Sequence, residues 1–218
     1  MNIIAETEQF VKKKLEKDAS GHDWYHIDRV RKASLYISKK ENAGNLFIIE
    51  MAALLHDVAD IKLNSSKAEG QKSLMNFLQT ISIKEEEKSH ILAAIESVSY
   101  NGGHSIPPAS IEAKIVQDGD RIDAIGAIGI ARTFAYGGQK GHLIYDPAIS
   151  ARQEMTEAEY RDGKSTSIHH FYEKLLKLKS LLHTATAKKI AEERHQLMEL
   201  FLTEFYKEWN GNYEKYFN

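Results

Sequence analysis

Residues 52–60 read AALLHDVAD, an apolar run that ends on an imidazole and a carboxylate side by side. Ala and Leu at such spacing continue into a core, so His56 and Asp57 are carried to its edge. A buried carboxylate beside a buried imidazole is costly unless each has a strong partner, and one metal ion serves both. Adjacent residues on an ideal helix point about 100° apart. The pair therefore reaches one ion only where the helix ends, and Val58-Ala59-Asp60 leading into IKLNSS reads as such an end. A second imidazole, His26, shares an apolar stripe with Val30, Ala33 and Ile37. Alone it reads as a core histidine satisfied by a neighbour; beside His56 and Asp57 it reads as a third ligand.

A further carboxylate would complete the set, and KIVQDGDRIDAIG offers Asp118, Asp120 and Asp123. On a helical wheel Asp118 lies with Ile111, Ile122 and Ile125, while Asp120 and Asp123 lie nearer the opposite side with Val116. Periodicity does not choose between Asp118 and Asp120. Imidazole nitrogens and carboxylate oxygens suit Mn2+, Fe2+, Co2+ and Zn2+. Two neutral histidines and two carboxylates balance a divalent charge. Water on such an ion becomes acidic, its pKa falling to about 7 in favourable sites, which turns a poor nucleophile into one that hydrolyses phosphoesters and phosphoanhydrides.

Asp60 follows Asp57 by about one turn and is a candidate to orient or deprotonate the water; its plainer role is a solvated acid at a helix end. Asp57 and Asp60 are thus the catalytic candidates. Cations for a phosphate are Arg29, three residues after His26, with Lys62, Arg132 and Lys164; Arg194 and Tyr136 are weaker candidates of the same kind. Gly163-Lys164-Ser165 imitates the end of a phosphate-binding loop, but the matching upstream glycine is Ala158 and no strand precedes it. Ser165, Thr166 or Ser167 instead reads as a helix cap, and a helix N-terminus beside Lys164 suits a phosphate. His22 reads as a support or cap for His26, and His90 and His104 as exposed, so one metal ion is expected.

The elements that must hold these groups are helical nearly throughout. Apolar periodicity predicts helices over about 3–17, 22–40, 46–60, 66–80, 84–99, 110–136 and two more after residue 167. The three prolines interrupt little, and no alternating run asks for a strand. GGQKGHLIYDPAISARQEMTEAEYRDGKSTS is long and weakly periodic, and segments of this kind are usually functional or mobile. The reading is all-α and single-domain over 1–218, with a metal-binding core at about 21–136, a mobile segment at about 137–164 and C-terminal helices at about 165–210.

His26, His56-Asp57 and Asp120 resemble the H…HD…D signature of the HD-domain metal-dependent phosphohydrolases. GHDWYHIDRV, LLHDVADIK, VQDGDRIDAIGAIGIAR and GKSTSIHHFYEKLLKL are similar to a small bacterial branch of that superfamily and together span most of residues 21–195. The resemblance implies a helical bundle of the HD type, His26, His56, Asp57 and Asp120 as metal ligands, and one divalent ion, Mn2+ ahead of Mg2+, Fe2+, Co2+, Ni2+ or Zn2+. It also implies nucleotide pyrophosphohydrolase activity, a nucleoside triphosphate giving monophosphate and pyrophosphate. A 5′-nucleotidase, a cyclic-nucleotide phosphodiesterase and a non-catalytic nucleotide-binding regulator are the alternatives.

The formal net charge of −2 supplies no basic field for nucleic acid. The absence of cysteine excludes disulfides and thiolate ligands. The charged N-terminal stretch MNIIAETEQFVKKKLEK lacks the apolar core of a signal peptide, and no stretch approaches the roughly 18 apolar residues a membrane span needs. The expectation is a soluble cytoplasmic monomer or homodimer that binds a small nucleotide, without nucleic acid or membrane as partner.

Overall fold

A computed structural model describes residues 2–16, 23–60, 63–103, 106–156, 159–160 and 163–213. In chain order it has α1 Ile3–Leu15, α2 Trp24–Glu41, α3 Leu46–Leu55, α4 Lys67–Thr80, α5 Glu85–Glu96, α6 Ile111–Asp123 and α7 Gly126–Gln139. A composite helix α8 follows over 167–181, and α9 spans Ala185–Trp209. No strand occurs among the described residues, and none of their helices is long and apolar enough to cross a membrane. The fold class is all-α.

The bundle is built around α3. LFIIEMAALL is apolar on nearly every face, and a helix of that kind must be surrounded. Ile48, Ile49, Met51, Ala52, Ala53, Leu54 and Leu55 are buried, and α1, α2, α5 and α6 pack around them. The side-chain oxygen of Asn45 starts α3 by accepting from the Phe47 and Ile48 backbone N–H groups at 3.0 and 3.4 Å. The helix ends at Leu55. His56 and Asp57 lie in the turn beyond it, where Val58 N–H donates to Leu55 O at 3.0 Å and Asp60 N–H to Asp57 O at 2.9 Å.

α6 lies between α2, α3, α5 and α9. Its closest approach is to α2, and Gly119 makes that approach possible. A Cβ at Gly119 would fall against Ser34 Oγ, 3.1 Å from the Val30 carbonyl and 3.4 Å from Ser34 N. Asp118, fully buried, points the other way and organises the start of α9. It accepts from His183 N–H at 2.9 Å, from Thr184 N–H at 2.8 Å and from the Thr184 hydroxyl at 2.7 Å. Thr184 Oγ1 in turn accepts from Ala187 N–H at 3.2 Å as the cap of α9.

The continuous helix expected over 110–136 is two helices. Ala124 N–H bonds back to the carbonyls of Asp120 and Arg121, and Gly126 takes φ +76°, which L side chains rarely adopt. The Arg194 side chain fills the space beside Gly126 and donates to the Ile122 carbonyl, so Arg194 closes the end of α6. The long segment before α8 is tied down at several points. Ser167 and Ile168 N–H donate to the Leu143 and Ile144 carbonyls at 3.1 and 3.0 Å, and Tyr145 packs among His169, Phe205, Tyr206 and Trp209. Arg152 and Glu173 form a two-pronged ion pair at 2.9 and 2.7 Å.

Gly119→Ala is expected to push α2 and α6 apart and to destabilise the protein by about 1–3 kcal/mol. Thermal unfolding followed by circular dichroism checks this; an unchanged midpoint would show that the helices yield without cost.

Candidate metal centre

The N-terminal cap of α2 places His26. Asp23 Oδ1 accepts from His26 N–H at 2.9 Å, which fixes the first turn and directs the imidazole inward. His56 and Asp57 arrive from the turn after α3, and Asp120 and Asp123 from the last turn of α6. His26 Nε2 lies 3.4 Å from Asp57 Oδ2 and 3.5 Å from Asp120 Oδ1. His56 Nε2 lies 3.4 Å from Asp57 Oδ1 and 3.8 Å from Asp120 Oδ1. The donor atoms of His26, His56 and Asp57 all fall within 4.8 Å of one another.

The far side of each imidazole is already committed. His56 Nδ1 sits 2.9 Å from the Ala53 carbonyl, which only accepts, so Nδ1 carries the hydrogen and Nε2 presents a lone pair. That Nε2 is buried and has no hydrogen-bond partner. His26 Nδ1 sits 2.8 Å from Asp123 Oδ2. Burial works against the charge of Asp123, but His26, Arg29 and Arg132 outweigh it and hold its pKa well below the usual carboxylate range. An ionised Asp123 takes the Nδ1 hydrogen and turns His26 Nε2 toward the other donors. Burial and Arg132 oppose a positive charge on His26, yet the Asp123 and Asp57 carboxylates prevail and raise its pKa. A cation is thus favoured at this point.

These residues fit a divalent ion. Ligands about 2.1 Å from a metal stand about 3–3.5 Å from each other, close to the separations seen here and long for direct hydrogen bonds. A carboxylate or carbonyl behind each metal-facing imidazole is the usual support that fixes tautomer and ring orientation.

The other anticipated residues are placed as follows. Arg29 and Arg132, expected at a phosphate, both bind Asp123: Arg29 Nε reaches Oδ1 at 2.6 Å and Arg132 Nη1 reaches Oδ2 at 2.7 Å. Asp60 is partly buried one turn past Asp57, and Lys164 is exposed before α8. His90 is on α5 and pairs with Glu112 at 3.1 Å. Tyr136 stands edge-on to His142. Thr166 caps α8, accepting from His169 N–H at 3.1 Å. His22, Lys62 and His104 lie outside the described residues.

Sequence reasoning offered Asp123 only as an alternative ligand. Its spacing of three from Asp120, on the same side of the wheel, was the available signal.

A family model for the HD domain matches residues 23–125, the stretch that supplies His26, His56, Asp57, Asp120 and Asp123. The chain belongs to the HD-domain phosphohydrolase superfamily. It is 38% identical over 216 residues to the protein YpgQ of Bacillus subtilis (strain 168), covering 97% of each chain. A solved structure of an HD-superfamily hydrolase from Bacillus thuringiensis is 54% identical with a TM-score of 0.72, over 95% of this chain and 96% of that one. The structure of Bacillus subtilis YpgQ in complex with ADP is 36% identical with a TM-score of 0.74, over 94% and 97% of the two chains. A structure from Lactobacillus plantarum superposes with a TM-score of 0.88 at 38% identity, over 96% and 97%.

Asp123→Asn is expected to weaken Mn2+ binding about 10- to 100-fold, by loosening the support behind His26, while helical content is kept. Asp118→Asn should instead lower the thermal midpoint and leave metal affinity near wild type. Calorimetric metal titration beside circular dichroism distinguishes the two; equal loss of metal in both variants would refute the division of labour on α6.

Proposed function

We propose that the protein is a divalent-metal-dependent nucleotide phosphohydrolase that splits a nucleoside triphosphate into monophosphate and pyrophosphate. The observation that carries this reading is the convergence of two imidazole Nε2 atoms and two carboxylates, with both Nδ1 atoms already held from behind. The ADP complex of the relative YpgQ supports a nucleotide as the ligand class.

In this reading His26, His56, Asp57 and Asp120 hold the ion. A bound divalent cation supplies an acidified water and polarisation of the phosphorus centre. The chain's own residues do the rest. Asp123 orients His26, because it accepts a hydrogen bond from Nδ1 while Arg29 and Arg132 keep it ionised. Asp57 lies between the two imidazoles and fixes their separation. Asp60 is the acceptor for the proton that leaves the attacking water. Arg132 has donors beyond the one given to Asp123, and Lys62 and Lys164 would add positive charge from two other segments. Mn2+ is the proposed ion, in a cytoplasmic protein that acts as a monomer or homodimer.

The test is product identity. The purified protein with Mn2+ should convert nucleoside triphosphates to monophosphate and pyrophosphate, resolved by phosphorus NMR, and His56→Ala should lose nearly all of this activity together with its metal. Inorganic phosphate released from monophosphates, with triphosphates untouched, would replace this reading with a nucleotidase.

A further inference from the structure

One cation near the centre has no assigned part. Lys174 lies in α8, which begins as an α-helix over Ser167–His170, opens into a π-helical turn over Phe171–Leu175 and closes through Leu176–Leu178 and a 3-10 turn at Lys179–Leu181. A π-helical turn adds a residue to the helical repeat and re-aims the side chains around it; such turns cluster at functional sites. The turn is clamped on both sides of its axis. Phe171 and Leu175 are buried in the core. Glu173 is also buried; it binds Arg152 Nε and Nη2 at 2.9 and 2.7 Å and accepts from Ser165 Oγ at 2.9 Å. The neighbours of Lys174 in the turn are thus held in place on either side of it.

The Lys174 ammonium stands 5.3 Å from the centre of the Tyr100 ring and forms no ion pair among the described residues. Tyr100 is itself packed edge-on against Tyr160, whose ring stacks on His170. Burial pushes the Lys174 pKa down and Arg132 adds to that, while the carboxylates of Asp120, Asp57 and Asp60 lie close enough to act against them. Two other partly buried basic side chains here, Arg29 and Arg132, hold a carboxylate. Lys174 alone among these three faces the carboxylates without touching one. A partly desolvated ammonium lacking a counter-ion is unfavourable in the resting protein. It becomes favourable when an anion enters between it and the metal ligands.

We propose that Lys174, seated on Tyr100, is the contact for the substrate's phosphate chain, opposite the group formed by His26, His56, Asp57 and Asp120. This rests on the nucleotide reading of the site and adds the residue that receives the phosphates not bound at the ion. The ion and its two carboxylates are balanced in charge, so the remaining phosphates need a cation of the protein's own. A single compact ammonium binds successive phosphate oxygens without requiring one geometry, which suits a chain of phosphates more than a planar carboxylate.

The test uses the Mn2+-loaded full chain with ADP and with inorganic pyrophosphate as probes, titrated calorimetrically. Lys174→Met should retain its Mn2+ and its helical content, and should bind both probes about 10- to 100-fold more weakly, the range for a lost hydrogen bond between charged groups. Lys174→Arg should recover most of that affinity. The metal-free Lys174→Met protein should also unfold at the same or a higher temperature, because it no longer contains a desolvated charge. A merely structural lysine would give the reverse, a lower midpoint with unchanged probe binding. Wild-type affinity for both probes in Lys174→Met, or wild-type protein that binds neither, overturns the proposal. Probe binding that depends on Lys174 in a protein without triphosphate hydrolysis would sink the proposed reaction and leave this contact standing.

Discussion

A single buried carboxylate joins three helices and orients an imidazole. Asp123 Oδ2 is shared between His26 Nδ1 and Arg132 Nη1, and its Oδ1 is held by Arg29 Nε. Each ion in such a cluster is costly to remove from water, and the cost is offset only while every partner is present. The cluster therefore ties α2, α6 and α7 together. It also decides which nitrogen of His26 faces the cleft, so a structural ion network and the ligand geometry are one arrangement.

The last two turns of α6 carry three carboxylates with three separate duties. Asp118 points away from the centre and ends in the backbone of His183 and Thr184 at the head of α9. Asp120 faces His26 Nε2, and Asp123 faces its Nδ1. Gly119, between the first two, lets the helix lie against Val30 and Ser34. Movement of α6 along its axis would disturb the α9 cap, the α2 contact and the imidazole together. Packing that is bistable or loose anywhere along this helix would be felt at the ligands.

Much of this was legible in the chain. Long apolar periods announced the helices, and the failure of AALLHDVAD to stay apolar marked the end of α3 as a site. The choice of Asp120 came from resemblance and not from periodicity, since a wheel separates faces without naming the partner opposite each one. Arg29 and Arg132 read as free cations because a sequence does not show which carboxylate is in range. The break at Gly126 was masked by GAIGIA, which keeps helical spacing across a residue with positive φ. Lys174 was invisible for a related reason. In FYEKLLKLKS it looks like one more lysine on a solvated face, and a π-helical turn has no signature in the order of residues.

The separation between His26 and Asp123, 97 residues, gives the centre a history as well as a geometry. A chain leaving the ribosome presents His26, His56 and Asp57 long before Asp120 and Asp123 exist, and these three form a compact donor set in the folded protein. A domain generally folds as a unit. The carboxylate that sets the His26 tautomer then arrives with α6, and the cap that anchors α6 arrives later still, with His183 and Thr184. A contact 97 residues apart in sequence is made only when most of the domain has been synthesised, so the backing of His26 is among the late, non-local contacts of the fold.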